Sequence, residues 1–347
     1  VTPLAQQILA GKRKAIARQI SNIENNHPNA QTVLTELYPH TGQAHLVGVT
    51  GPPGSGKSTL VNQLARQYRQ QQKTVAVLAV DPTSPFTGGA ILGDRIRLKD
   101  LAGDPAVFVR SMATRGHLGG LAQATSDAIK VFDAAGFELI LIETVGVGQA
   151  EVEIAGLAHS VVVVDVPGLG DDVQAIKAGI LEIADIFVIN KADHAGADKT
   201  VAHLKAMLDL SDPHSTATPM LHHGQLIEVA TRTRPKTNDD GWRPPIYKTV
   251  ATQGDGIEAV VAGLTQHRAH QLASNRLQQR ERHRLLFEIE HRLKTALLAG
   301  LISEVSPKKL EQIIEQVSAR QLDPYTAVDN LLALGGCPPK TNLSPKK

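Results

Sequence analysis

Seven short runs of valine, isoleucine and leucine, separated by longer amphipathic stretches, limit what this 347-residue chain can become more than any other feature. The runs are Leu46–Thr50, Thr74–Val80, Ala106–Val109, Glu138–Ile142, Ser160–Val164, Asp185–Ile189 and Pro245–Ala251. They lack the apolar–polar alternation of a strand with one wet face. They therefore predict strands buried on both faces of a parallel sheet, with helices in the crossovers. The expected fold class is α/β, a mostly parallel, doubly wound sheet with helical extensions at both ends. Residues 1–40 read as helix, because Leu4 and Ile8, then Ile16, Ile20 and Ile23, recur at helical spacing. The domain plan is an N-terminal helical extension at 1–44, a central sheet domain at 45–265 and a helical region at 266–347. In that last region Leu286, Ile289, Leu293 and Leu297 form one stripe, and Leu310, Ile313, Ile314 and Val317 another. Asp323-Pro324 reads as an N-cap followed by proline at the first helical position. Residues 211–243, rich in Pro, His, Thr and Asp, read as a surface insertion, and the Pro/Lys-rich last ten residues as disordered.

The phosphate chemistry sits on the first run. Gly51-Pro-Pro-Gly-Ser-Gly-Lys-Ser58 fits G-x-x-x-x-G-K-[ST], with a strand before it and a helix-like stretch, Thr59–Gln70, after it. The glycines Gly51, Gly54 and Gly56 let a loop that also holds Pro53 and Ser55 curl around a phosphate without Cβ interference, and Ser58 and Thr59 lie at the positive end of the helix. Lys57 is expected on the β- and γ-phosphates and the Ser58 hydroxyl on Mg²⁺. A P-loop NTPase follows.

The run ending at Ile189 leads into Asn190-Lys191-Ala192-Asp193, an N-K-x-D sequence. The Asp193 carboxylate can accept from both N1–H and the 2-amino group of guanine, a donor pair adenine lacks. Lys191 can lay its stem along the base and Asn190 brace the loop. Ala251 and Thr252 offer backbone N–H groups to the guanine O6. The nucleotide is therefore GTP or GDP. Glu143, closing the fourth run, stands where P-loop enzymes hold Mg²⁺, and the Gly146 N–H can meet the γ-phosphate. Asp81 and Asp94 are further candidates for the Mg²⁺ shell, with turn or cap formation as the alternative.

Composition removes other classes. A net charge of +2 gives no electrostatic case for nucleic acid or an anionic membrane, and 3% aromatics gives no base-stacking platform. The single cysteine, Cys337, cannot form an internal disulfide. No apolar run approaches the ~20 residues of a membrane span, and no signal-peptide core opens the sequence. The expected location is cytoplasmic.

The stretches AVDPTSPFTGGAILGDRIRL (79–98), RGHLGG (115–120), ETVGVGQAE (143–151) and PGLGDDVQAIKAGILEIADIFVINKAD (167–193) closely resemble the P-loop GTPases of the MeaB/ArgK type. This is the family of methylmalonyl-CoA mutase-associated GTPases that includes the methylmalonic aciduria type A proteins. The resemblance runs from about residue 45 to 265. It implies a chaperone that gates adenosylcobalamin loading and protects an acyl-CoA mutase, with GTP and Mg²⁺ as its cofactors. It also implies that Asp81, Asp94 and Glu143 serve Mg²⁺, with Lys57, Glu143 and Asp94 carrying catalysis. Switch loops around 81–98 and 143–155, a mobile loop at 166–174, and homodimerisation through the C-terminal helices are implied as well. Two departures are visible. Val250-Ala251-Thr252 stands where Ser-Ala is usual, and the insertion is longer and richer in histidine.

Two rival readings carry distinct requirements. A metal-insertion GTPase needs Cys/His clusters near the switch loops, and the nucleotide domain has no cysteine, with His117 and His222-His223 lacking ligand partners at metal spacing. A small-molecule kinase needs an acceptor pocket and has little use for a guanine-selective Asp193. One substitution sets the expected rate. Val147 follows Gly146 where many GTPases place a water-orienting glutamine, so intrinsic hydrolysis should be slow, with the missing group supplied by a partner or by Gln149, Arg95, Arg97, Arg110 or Arg115. Phosphate release from the isolated protein tests this, and rapid turnover contradicts it.

Overall fold

The computed structural model describes residues 1–82, 101, 103–114, 120–144, 156–168, 183–211 and 241–335. All seven apolar runs form strands: β1 His45–Thr50, β2 Val75–Pro82, β3 Val107–Thr114, β4 Leu139–Thr144, β5 Ser160–Asp165, β6 Ile186–Ile189 and β7 Ile246–Lys248. They make one sheet in the order β3-β2-β4-β1-β5-β6-β7, and every strand pair in it is parallel. From β1 the chain moves to one side of the sheet and later returns to the other. The carboxyl end of β1 is thus a topological switch point, where open α/β sheets bind ligands. Central Val47 is opposite Leu141 on one side and Ser160 on the other.

Successive strand residues point to opposite faces, and both are covered. One face carries Val47, Val49, Val77, Leu141, Val162 and Val188 against helices α4 (Lys57–Gln70) and α7 (Ile257–Ala273). The other carries Leu46, Leu78, Ile140 and Ile142 against α5 (Gly120–Ala134) and the N-terminal helices. Further along that second face, Val161, Val163, Phe187 and Ile189 pack with Leu204 of α6 (Ala197–Ser211). Alternate residues of one apolar run therefore serve two cores.

The N-terminal stripe is buried at Ile8, Ile16, Ile20 and Ile23, but residues 1–40 are not one helix. They fold as α1 (Pro3–Leu9), α2 (Arg13–Glu24) and α3 (Asn29–Leu37). Gly11 at φ +69° and Asn26 at φ +51° break the path, because left-handed residues cannot continue a right-handed helix. Arg13 donates to the carbonyls of Pro105 and Val107 and sits over the Phe108 ring, and Arg110 pairs with Glu24 and Ser21. Arg110 is thereby committed to holding α2, which removes it as a source of the missing catalytic group. The chain divides into two compact units, Val1–Arg280 and Glu281–Lys347, so the N-terminal helices and α7 belong with the sheet.

The second unit holds most of α8 (Arg276–Glu304), with α9 (Pro307–Ser318) and α10 (Pro324–Leu334). Asp323 caps α10 as expected, accepting from the Tyr325 and Thr326 N–H groups. Ile313 is buried, whereas Leu286, Ile289, Leu293 and Leu297 are 56, 61, 55 and 64% exposed. None of the helices among the described residues is long and apolar enough to cross a membrane. The insertion lies almost wholly outside the described residues.

A buried polar chain closes the amino edge of the sheet. His45 Nε2 meets Ser160 Oγ at 3.0 Å, Ser160 Oγ meets His267 Nδ1 at 2.9 Å, and His267 Nε2 lies 3.3 Å from Asp185. Arg280 grips both Asp185 oxygens at 2.7 and 2.9 Å. Burial, reinforced by Arg268, His159 and His267, pushes the His45 imidazole well below its usual range, so it folds neutral. The unfolded chain binds a proton at His45 near pH 6.5 that the folded chain refuses, so this contribution is complete above that pH and is lost as pH falls. The thermal midpoint should accordingly drop between pH 7.5 and 5.5, and His45→Gln should flatten that slope; an unchanged slope would contradict the assignment.

Candidate nucleotide site

The loop leaving β1 is shaped by three left-handed glycines. Gly51, Gly54 and Gly56 have φ of +140, +78 and +86°. Two of them also have no room for a side chain. A Cβ at Gly51 would lie 2.0 Å from the Val164 carbonyl oxygen, and one at Gly56 would lie 2.3 Å from Asn190 Nδ2. Gly56 is the N-cap of α4, so the N–H groups of its first turn have no helical partner and face the loop. Ser55 is fully buried, and its hydroxyl has no hydrogen-bond partner among the described residues, while Pro53 and Gly54 are exposed at the rim. Lys57 is buried and its ammonium donates to the carbonyls of Gly51 at 2.8 Å and Pro52 at 2.9 Å. It therefore spans the mouth of the loop. Thr59 follows one residue after Ser58 in the same turn.

Ser58 and Glu143, far apart in sequence, meet at the switch point: the Ser58 hydroxyl donates to Glu143 Oε1 in a buried hydrogen bond. A hydroxyl and a carboxylate in contact are hard oxygen donors of the kind Mg²⁺ takes. Beside them the Thr144 hydroxyl donates to that of Thr50 at 3.0 Å, tying the end of β4 to the residue that opens the phosphate loop. Asp81 lies one residue before the end of β2, in register with Ala113 of β3. Asp94, Gly146 and Val147 lie outside the described residues, as do Arg95, Arg97, Arg115, Gln149, His117 and the histidines of the insertion.

On the other side of β1, Asn190 joins three segments. Its Nδ2 donates to the Ser55 carbonyl at 2.8 Å, and its Oδ1 accepts from the Thr249 hydroxyl and the Ala251 N–H, both at 3.1 Å. The backbone adds Ala192 N to Thr249 O at 3.0 Å and Asn190 N to Asp165 O at 2.8 Å. Lys191 takes φ +55°, turning the chain sharply, and the Asp193 side chain beyond it is 48% exposed. Ala251 is buried and Thr252 exposed in the turn after β7. The fold thus brings the phosphate loop, Glu143, residues 190–193 and residues 251–252 to one edge of the sheet.

Sequence reasoning missed Thr50, Thr144, Asp165 and Thr249, single polar residues at the ends of apolar runs that carry no motif. Asp165 closes β5 beside the phosphate loop, accepts from the Val166 N–H, and has its carboxyl pushed up by burial.

A family model described as methylmalonyl-CoA mutase-associated GTPase MeaB matches residues 16–306. The chain belongs to the MeaB family. A protein of Pyrococcus abyssi described as a GTPase is 47% identical over 333 residues, covering 96% of each chain. The mouse mitochondrial methylmalonic aciduria type A homolog is 31% identical over 284 residues, covering 78% of this chain and 63% of its own. A crystal structure described as an LAO/AO transport system kinase aligns with a TM-score of 0.65 at 25% identity, covering 95% of each chain. This member of the family is thus a P-loop GTPase and hydrolyses GTP.

Gly56→Ala tests the geometry. It places a β-carbon against Asn190 and a non-glycine residue at φ +86°. The folded protein should lose about 1–2 kcal/mol of stability, as left-handed residues with a Cβ do, and calorimetry should show weaker GDP binding. A variant that melts and binds like the parent would contradict the close approach.

Proposed function

We propose that this MeaB-family GTPase is a nucleotide-switched chaperone of an adenosylcobalamin-dependent acyl-CoA mutase of the methylmalonyl-CoA mutase type, gating cofactor loading and protecting the mutase from inactivation. The observation that carries the reading is the match, over residues 16–306, to a family described by its association with that mutase. The name of the mouse relative points the same way.

At the site, Lys57 and the loop N–H groups hold the terminal phosphates, and Asp193 selects guanine through its two ring donors. Ser58 and Glu143 would hold Mg²⁺, with Asp81 and Asp94 completing its shell. The ion, when bound, offsets charge on the β- and γ-phosphates. Ala251 and Thr252 close over the base edge and Gly146 meets the γ-phosphate. Lys57, Glu143 and Asp94 carry catalysis, and intrinsic turnover is slow and partner-stimulated because Val147 cannot orient water. The residues at 45–265 carry the nucleotide chemistry. Those at 266–347 carry self-association, since the stripe Leu286, Ile289, Leu293 and Leu297 leaves its apolar side chains more than half exposed.

A nucleotide changes a partner only if the partner distinguishes its two states. The experiment is capture from native cell extract with GDP-loaded protein and with protein holding a non-hydrolysable GTP analogue. A cobalamin-dependent mutase should be recovered, in amounts that differ between the two nucleotides. Capture without any such mutase would overturn the assignment of the partner.

A further inference from the structure

We propose that Thr144 is a positioning residue for the Mg²⁺ site, whose side-chain bond to Thr50 sets the spacing between the root of the phosphate loop and the strand end that carries Glu143. The inference rests on the reading of Ser58 and Glu143 as Mg²⁺ ligands given above.

Glu143 and Ser58 come from separate elements, so their contact depends on how the end of β4 is held beside β1. The backbone does this only part of the way. The register between β1 and β4 runs from His45 opposite Leu139 to Val49 opposite Glu143. One residue further on, Thr50 pairs with Val163 of β5 and Thr144 with Val80 of β2. The two strand ends thus have different backbone partners, just where the chain turns from Thr50 into the loop that leads to Ser58. At that level a side-chain bond continues the ladder, with the Thr144 hydroxyl donating to the Thr50 hydroxyl oxygen at 3.0 Å.

Successive strand residues point to opposite faces. Glu143 shares the face of Leu139 and Leu141, which pack with α4, whereas Thr144 shares the face of Ile140 and Ile142. The threonine pair therefore acts on Glu143 through the backbone and not as a metal ligand. Both threonines are buried. A buried hydroxyl that loses its partner is costly, so the two are held together. Breaking the bond lets the end of β4 shift against the root of the loop, and the Ser58–Glu143 contact is what such a shift spoils. The loop N–H groups and Lys57 belong to β1, the loop and α4, and keep their arrangement. The loss should therefore fall on what Mg²⁺ adds to nucleotide affinity and spare what the loop does alone.

Thr144→Val removes the hydroxyl at nearly constant shape, whereas Thr144→Ser keeps it. Calorimetry with GDP, once in Mg²⁺ and once in EDTA, separates the two contributions. In EDTA both variants should bind within about twofold of the parent, since no ion is there to be misplaced. The tightening that Mg²⁺ brings should be about tenfold smaller in the valine variant and parental in the serine variant, the loss typical when support for a metal ligand is removed. Thr50→Val breaks the same bond from the other side and should lose as much. The Thr50→Val/Thr144→Val double variant should lose no more than either alone, because only one bond is removed. If Thr144→Val fails to fold, Thr50→Val decides the matter by the same two titrations. Equal Mg²⁺ tightening in the valine and serine variants overturns the proposal, as do additive losses in the double variant or a loss in EDTA as large as that in Mg²⁺. A parent protein whose GDP affinity ignores Mg²⁺ would overturn the metal reading itself, and this inference with it.

Discussion

One side-chain amide holds the nucleotide edge of this protein together. Asn190 bonds to the phosphate loop through Ser55 and to the loop after β7 through Thr249 and Ala251, and it lies against Gly56 where only glycine fits. Each of these segments leaves a different strand and has no regular structure of its own to fix it. Buried amides that satisfy both ends are stable only in one orientation, because a flip sets like against like. Asn190 therefore converts three loops into one rigid surface. The surface presents helix N–H groups and an ammonium at one end and the exposed Asp193 carboxylate at the other. The sheet supplies the frame, since β1, β5 and β6 are adjacent and in parallel register.

The two edges of the sheet divide the labour between charge and burial. At the carboxyl edge the polar groups gather at the phosphate loop: Lys57, Ser58 and Glu143 converge within the loop mouth, and Thr50 and Thr144 lock the strands behind them. At the amino edge the polar groups face one another, from His45 through Ser160 and His267 to Asp185 and Arg280. That chain includes a serine, a histidine and an aspartate in sequence, an arrangement that elsewhere does nucleophilic chemistry. Ser160 is fully buried here, so no substrate reaches it. Its role is to satisfy strand ends that would otherwise be buried without partners.

The helices of the second unit follow a different economy. Leu286, Ile289, Leu293 and Leu297 recur at helical spacing yet stand more than half exposed, while the shorter helices around them bury only single residues such as Ile313 and Ala327. An exposed apolar stripe at that spacing has the character of an interaction surface. The N-terminal stripe has the same periodicity and the opposite fate, because Ile8, Ile16, Ile20 and Ile23 find α5 and the sheet.

The sequence alone determined the elements and the chemistry class. Short apolar runs without alternation, set between amphipathic stretches, fit strands buried on both faces, and each of the seven contains a strand, although β3 continues past its expected end at Val109 to Thr114. Gly51–Ser58 and Asn190–Asp193 are local arrangements of backbone freedom and donor chemistry, so their meaning survives without knowledge of the fold. What the sequence could not contain was adjacency. Nothing in the chain marks Thr249 as the partner of Asn190, Thr144 as that of Thr50, or Arg110 as the anchor of Glu24. Each is one polar residue bonding to another 59 or more positions away. The division of residues 1–40 into three helices was likewise set by left-handed turns that periodicity does not register. Hydrophobic spacing is a one-dimensional signal and specifies which face is buried; pairing of single polar groups depends on strand order and register, which only the folded sheet decides.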